Sequence, residues 1–257
     1  MTSRPGFPYA VSAVTQASPT TAIPTRMPLN RALLISSAGC LLMVALRVLL
    51  TGNLRFASLV WNLFLAWIPY LLALLIRRVA AGESAAAPEA QPARFRPGLV
   101  VLGLLWLLFY PNAPYILTDF IHLLRAPTRA PADQVFLTEN ALLWYDIILN
   151  AAFAFIGHFI GLISMVILHR TVRELGRRWL GWLLVVLASG LGGYGIFLGR
   201  FERLNSWYIL SDPLQTLREA LENLFYLKAV LFSLCFAFFI FLTYLIVYSF
   251  HETVRQR

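Results

Sequence analysis

The fold class the sequence predicts is an all-α polytopic transmembrane helix bundle of six spans with both termini cytoplasmic. Three observations carry that reading. Of 257 residues, 59% are hydrophobic and 13% charged, about half the charged share of an ordinary soluble domain. Mean hydropathy is +0.71, which excludes a soluble globular fold. Apolar runs long enough to cross a hydrocarbon layer of about 30 Å recur along most of the chain.

Residues 1–30, rich in Ser, Thr, Pro and Ala, carry neither periodicity nor an apolar run and read as a disordered cytoplasmic tail. Behind the first apolar run, Leu49-Leu50-Thr51-Gly52-Asn53 lacks the small-residue pattern of a cleavage site, so that run is expected to stay as an anchor. The six-span domain covers residues 31–250 and a second cytoplasmic tail covers 251–257. The spans are expected at Ala32–Leu50, Ala57–Ile76, Pro97–Tyr110, Ala141–Leu168, Trp179–Leu198 and Tyr226–Ser249. The third is short, closed by Pro111 and Pro114. Each proline lacks an N–H and disfavours helix at the residue before it, so Tyr110 and Ala113 should be non-helical and the span broken at the Pro-Asn-Ala-Pro segment. Backbone of that kind persists at membrane depth only where protein or water satisfies it, so the break should line a cavity or sit at the interface.

Span four carries a stripe of small or polar residues, Asp146, Asn150, Ala154, Gly157, Gly161 and Ser164, at helical spacing. Its Gly157-x-x-x-Gly161 reads as close helix packing. Gly190, Gly192, Gly193, Gly195 and Gly199 in and after span five lack the strand-then-helix setting of a phosphate loop and read as packing or a hinge. His158, at the edge of the span-four stripe, is as readily a packing histidine as a proton relay. After span five, Ser211-Asp212-Pro213 is a helix start, and Leu214, Leu217, Leu221, Leu224 and Phe225 give an apolar stripe, so an amphipathic helix should lie on the outer leaflet. Span six, almost wholly apolar, reads as lipid-facing scaffold. Cys40 and Cys235 both lie in apolar runs and read as buried, inert thiols.

Of the 21 basic residues, 20 are Arg. The tails and the loops after spans two and four hold 13 of them, against 7 on the other side. Counting acids, the first side nets +9 and the second zero. The positive-inside rule therefore puts both termini in the cytoplasm and turns the loops after spans one, three and five outward. In a bacterium this is the inner (cytoplasmic) membrane. The basic balance thus reports topology and lipid head groups, and nucleic acid is not implied as a partner.

Two outward segments hold the unusual chemistry: Phe109 to Leu123, and Gly199 to Trp207. The first contains Tyr110-Pro111-Asn112-Ala113-Pro114-Tyr115, then Thr118, Asp119, His122 and Leu123; the second contains Arg200, Arg203, Asn205, Ser206 and Trp207. Together they resemble the signature of a bacterial integral-membrane family catalogued only as a domain of unknown function, with P-N-A-P-Y-x-x-T-D-x-x-H-L followed by R-x-x-R-x-N-S-W. The resemblance spans most of the membrane region and implies no particular reaction.

In a helix beyond Pro114, Thr118, Asp119 and His122 share one face. An interfacial helix whose polar side meets water explains them as well as a reactive cluster does. For acid–base chemistry the candidates are Asp119, His122 and Asp146. A divalent metal would need those same three, because Asp-x-x-His supplies two ligands and a catalytic zinc takes about three; Glu202 is the other candidate carboxylate. Arg47, the one Arg inside a span, lies at the depth of Asp146 and pairs with it as a helix fastener or as part of a substrate site. Asn112, Tyr115, Thr118, Asn150, Asn205, Ser206 and Trp207 complete the candidate substrate-binding set with Arg200 and Arg203, whose planar forks suit carboxylate or phosphate. A serine nucleophile at Ser206 lacks the elbow motif and is disfavoured.

Three function classes fit. One is a membrane-embedded enzyme acting on an anionic lipid, lipid-linked or periplasmic substrate. The second is a small-solute or ion transporter, suggested by the broken span and intramembrane Arg47, Asp146 and His158 and weakened by the absence of an inverted repeat. The third is a non-catalytic membrane assembly factor.

Overall fold

In a computed structural model, the protein is a bundle of long helices, and the structure describes residues 27–86, 97–125, 138–175, 178–204 and 208–255. In chain order the helices are α1 (Leu29–Thr51), α2 (Ala57–Ala86), α3 (Pro97–Phe109), α4 (Asn112–Tyr115), α5 (Ile121–Arg125), α6 (Glu139–Glu174), α7 (Arg178–Phe197), α8 (Tyr208–Ser211), α9 (Pro213–Asn223) and α10 (Leu227–Arg255). A 3₁₀ turn, Ile116–Phe120, joins α4 to α5, and a π turn, Leu198–Glu202, extends α7. Six stretches are long and apolar enough to cross a membrane: Leu29–Thr51, Ala57–Gly82, Pro97–Leu124, Glu139–Glu174, Arg178–Glu202 and Leu227–Thr253. The protein is therefore a multi-pass, all-α membrane protein, with no strand among the described residues. The start of α1 and the end of α10 lie at one end of the bundle, and the opposite end is the distal end.

Local chemistry sets several ends. Gly52 closes α1 with φ +66°, its N–H donating to Val48 O at 2.7 Å, the left-handed turn that glycine adopts without a Cβ penalty. The Thr138 hydroxyl accepts from Ala141 N and opens α6. Asp212 accepts from Gln215 N ahead of Pro213 and opens α9.

The centre of the bundle is α6, whose small-and-polar stripe is buried throughout. It joins two apolar clusters. One gathers α1, the distal half of α2 and Ile116 around Leu149, Phe153 and Ile160. The other gathers Trp106, Tyr110, Met165, Val185, Ile240 and Tyr244 from α3, α6, α7 and α10.

The third span is interrupted more gently than the prolines suggest. Tyr110 and Pro111 form a turn, but Ala113 lies inside α4 and Pro111 keeps helical dihedrals, φ −58° and ψ −24°. Right-handed turns carry the chain through, with Ala113 N donating to Tyr110 O at 3.1 Å and Tyr115 N to Pro111 O at 3.0 Å. The expectation that Ala113 is non-helical is thus corrected: a few short-range turns cost less at membrane depth than unsatisfied backbone would.

Glycines of two helices grip this segment. A Cβ on Gly157 would stand 2.8 Å from Ile116 Cγ2, and one on Gly161 2.7 Å from Ala113 Cβ. From α7, Gly195 faces Pro111 at 2.6 Å and Gly192 faces Tyr110 at 3.1 Å on the same construction. With no hydrophobic drive between helices in lipid, such close approach is what holds them.

Span six is more than scaffold. Leu234 and Phe238 are exposed on the outside of the bundle, yet α10 lies so close to α7 that a Cβ on Gly193 would meet Ser233 O at 2.2 Å. It also supplies Thr243 to His158 Nε2 at 2.8 Å and Tyr244 to His169 Nδ1. The His158 ring also lies against Phe239, with ring centroids 5.0 Å apart. α10 continues as helix to Arg255, through part of the expected 251–257 tail, and there Glu252 pairs with Arg170 and Arg173 of α6 at 3.5 and 3.9 Å. Cys40 is buried, but Cys235 is exposed on α10, a correction to its expected burial.

Candidate functional site

At the distal end a cavity of about 1220 Å³ opens between α2, α3, α7 and α9. Asn112, Tyr115, Asp119, His122 and Arg200 line its polar end, and leucines of α3, α7 and α9 line the rest. Each polar group arrives there for a local reason. The Tyr110–Pro111 turn redirects the third span so that Asp119 and His122, three residues apart, look the same way. The π turn adds a residue to the end of α7 and swings Arg200 across to them, a device frequent at functional sites.

The geometry is centred on Asp119, which is 2% exposed. Its Oδ2 accepts from Asn62 Nδ2 at 2.5 Å and its Oδ1 from Arg200 Nη2 at 2.9 Å. His122 Nε2 stands 3.7 Å from Oδ1, too long for a hydrogen bond but within the loosening expected before a substrate binds. Arg200 Nε also donates to Thr118 Oγ1 at 2.9 Å, and the Thr118 hydroxyl donates to Tyr115 O at 2.7 Å. The guanidinium lies 4.9 Å above the Tyr115 ring, a cation–π contact. Behind His122, its carbonyl accepts from Arg55 Nη2. Asn112 Nδ2 donates to Phe109 O at 2.9 Å, capping the end of α3.

The structure thus brings together Asn112, Tyr115, Thr118, Asp119, His122 and Arg200. It does not bring Arg47, Asp146 and Asn150 to them. Asp146 is fully buried and held in a two-pronged pair, Arg47 Nε to Oδ1 at 2.9 Å and Nη2 to Oδ2 at 3.1 Å. Arg47 also reaches the Thr51 hydroxyl and lies 5.2 Å over the Phe56 ring. Asn150 donates to Asp146 O at 2.8 Å within its own helix. This group, with Tyr145 donating to Met43 O at 2.7 Å, fastens α1 to α6 outside the cavity.

The three-ligand metal set is corrected on the same ground. Among the described residues no three His, Cys, Asp or Glu side chains gather as metal ligands. Asp146 is taken by Arg47, Asp119 by Asn62 and Arg200, and Glu202 is exposed. Arg203, expected beside Arg200, is exposed at φ 57° and absent from the cavity wall. Asn205, Ser206 and Trp207 lie outside the described residues.

Sequence reasoning left out Arg55 and the inner face of α9 as site components, and read Asn62 only as an amide that, with Asn150, lies nearer the middle of the spans. A signal existed for Asn62: a lone amide in an apolar span has to find a partner. None existed for α9, whose stripe reads equally well as a helix lying on a leaflet.

No curated protein and no solved structure matches the chain. A family model described as "Protein of unknown function (DUF1361)" matches residues 61–243, from the α2 wall of the cavity into α10. It covers well over half of the sequence, and so this chain belongs to the DUF1361 family of proteins of unknown function.

Proposed function

We propose that the protein is a membrane-embedded enzyme acting on an anionic amphiphile at the outward side of a bacterial inner membrane. One observation carries the reading: a single cavity has an Asp119–His122–Arg200 cluster at one end and hydrocarbon-like walls along the rest. His122 is the acid–base group. With Nε2 turned toward Asp119, its Nδ1 is the nitrogen left to take a proton from an attacking water or hydroxyl and return it to the leaving oxygen. Asp119 orients the ring as carboxylates orient catalytic histidines. Arg200 spends Nε and Nη2 on Thr118 and Asp119, which leaves Nη1 for an anion in a site of low dielectric, where such a contact is strong.

Transport is the weaker reading. Beside the cavity the bundle is filled by fully buried Trp106, Tyr110, Met165 and Tyr244, and His158 and His169 are bonded to Thr243 and Tyr244 of α10. The reading is tested in proteoliposomes made with a total bacterial lipid extract, followed by lipid mass spectrometry. Wild-type protein should produce a lipid species absent from empty liposomes, and His122→Ala should lower its yield about 100-fold or more. An unchanged lipid profile with wild-type protein, or full yield with His122→Ala, contradicts the proposal.

A further inference from the structure

Helix α9 presents a mismatch between what it faces and what covers it. Thr216, Leu217, Ala220 and Leu221 line the cavity. Yet Leu217 and Leu221 are 53% and 55% exposed, so protein covers only half of the side chains turned toward it. The outer face of α9 is a solvent face, with Arg218 paired to Glu222 at 2.8 Å and Gln215 bonded to Glu219 at 2.8 Å. The helix is tied down from inside by the Tyr194 hydroxyl, which donates to Ala220 O. Across the cavity, Leu104 of α3 is 61% exposed and Leu191 of α7 45%. From Arg200 down to Leu191 the wall runs about 13 Å, at about 1.5 Å per residue.

A soluble anion would satisfy Arg200 and leave this length of apolar wall uncovered. Water would leave it all uncovered, at a cost proportional to its area. We infer that the cavity is a hydrocarbon-chain groove roofed by α9, and that its ligand is a membrane lipid entering sideways from the bilayer, chain under α9 and anionic head at Arg200. The head-group half of this inference rests on the function proposed above; the chain half does not. The volume exceeds the roughly 300–1,000 Å³ of ordinary small-molecule sites, which suits a chain. The α9 roof, the α3 wall opposite it and the cation at the end of α7 come from three separate stretches of sequence.

The test is photolabelling in phosphatidylglycerol nanodiscs doped with a phosphatidylglycerol that carries a diazirine on its acyl chain, with adducts mapped by peptide mass spectrometry. Adducts should concentrate on Leu104, Leu191, Leu217 and Leu221 above the level on Leu234 and Phe238, which face bulk lipid. Ala220→Trp, which fills the groove from its exposed roof, should lower the cavity adducts about tenfold and leave those on α10 unchanged. Equal labelling of cavity and α10 overturns the inference, and so does a cavity signal that Ala220→Trp leaves intact, including one from a lipid lying only along the outer wall. Two further outcomes separate this inference from the enzymatic reading. Cavity labelling by wild-type protein that turns over no lipid sustains the groove while the enzyme reading fails. Turnover with no cavity labelling overturns the groove and spares the enzyme reading.

Discussion

Arg47 and Asp146 form the most deeply buried charged contact among the described residues, and their energetics differ from those of the site. Both forks are satisfied, so the pair is tolerated in the bundle, but removing one member strands the other charge. Asp146→Ala should cost about 3–5 kcal/mol, read as a lower unfolding temperature in detergent, whereas the Arg47→Leu/Asp146→Leu double variant should recover most of it. A double variant as unstable as the single would show that the pair does more than fasten α1. Arg203 makes the opposite case. Its left-handed backbone, φ 57°, costs a non-glycine residue about 1–2 kcal/mol, so Arg203→Gly should hold or raise stability and leave lipid turnover in place. Loss of turnover in Arg203→Gly would restore the residue to the site.

Among the elements, the glycine-lined helices decide the shape of the cavity. Gly190 has open space around it, while a Cβ at Gly193 would run into the backbone of α10 at Ser233. Gly190→Ala should therefore be neutral or stabilising by up to about 1 kcal/mol from helix propensity, and Gly193→Ala destabilising by about 1–3 kcal/mol. The pair of unfolding temperatures checks this, and equal shifts would contradict the packing of α7 on α10. Much of this was legible in sequence: the spacing of Gly157 and Gly161 announced close packing, and Pro111 announced a change of direction. The small turns that followed were not, because proline rules say where a regular helix ends without saying what replaces it. The site was half legible. Asp119 and His122 share a face by spacing alone, whereas the choice of Arg200 over Arg203 hangs on one π turn that leaves no mark in composition. The fate of Asp146 hangs on which helix lies beside α6, a tertiary fact.

For the whole molecule, orientation and ligand are the two matters that function depends on. The excess of Arg at the terminal end predicts that end to be cytoplasmic. A green fluorescent protein fused after Arg257 should then fluoresce, and alkaline phosphatase fused after Asn223 should be active. The reverse pattern would turn the cavity inward. Retention of an anionic lipid in the distal cavity through Arg200 is what the proposed function and the groove both require, and native mass spectrometry of the protein released from mild detergent measures it. One anionic lipid per protein should be retained, weakened about tenfold or more in Arg200→Gln, partly restored in Arg200→Lys and unaffected in Arg218→Gln, since a charge-assisted contact of this kind is worth about 1.5–3 kcal/mol. A protein that retains no lipid, or an adduct that Arg200→Gln and Arg218→Gln retain alike, would contradict it.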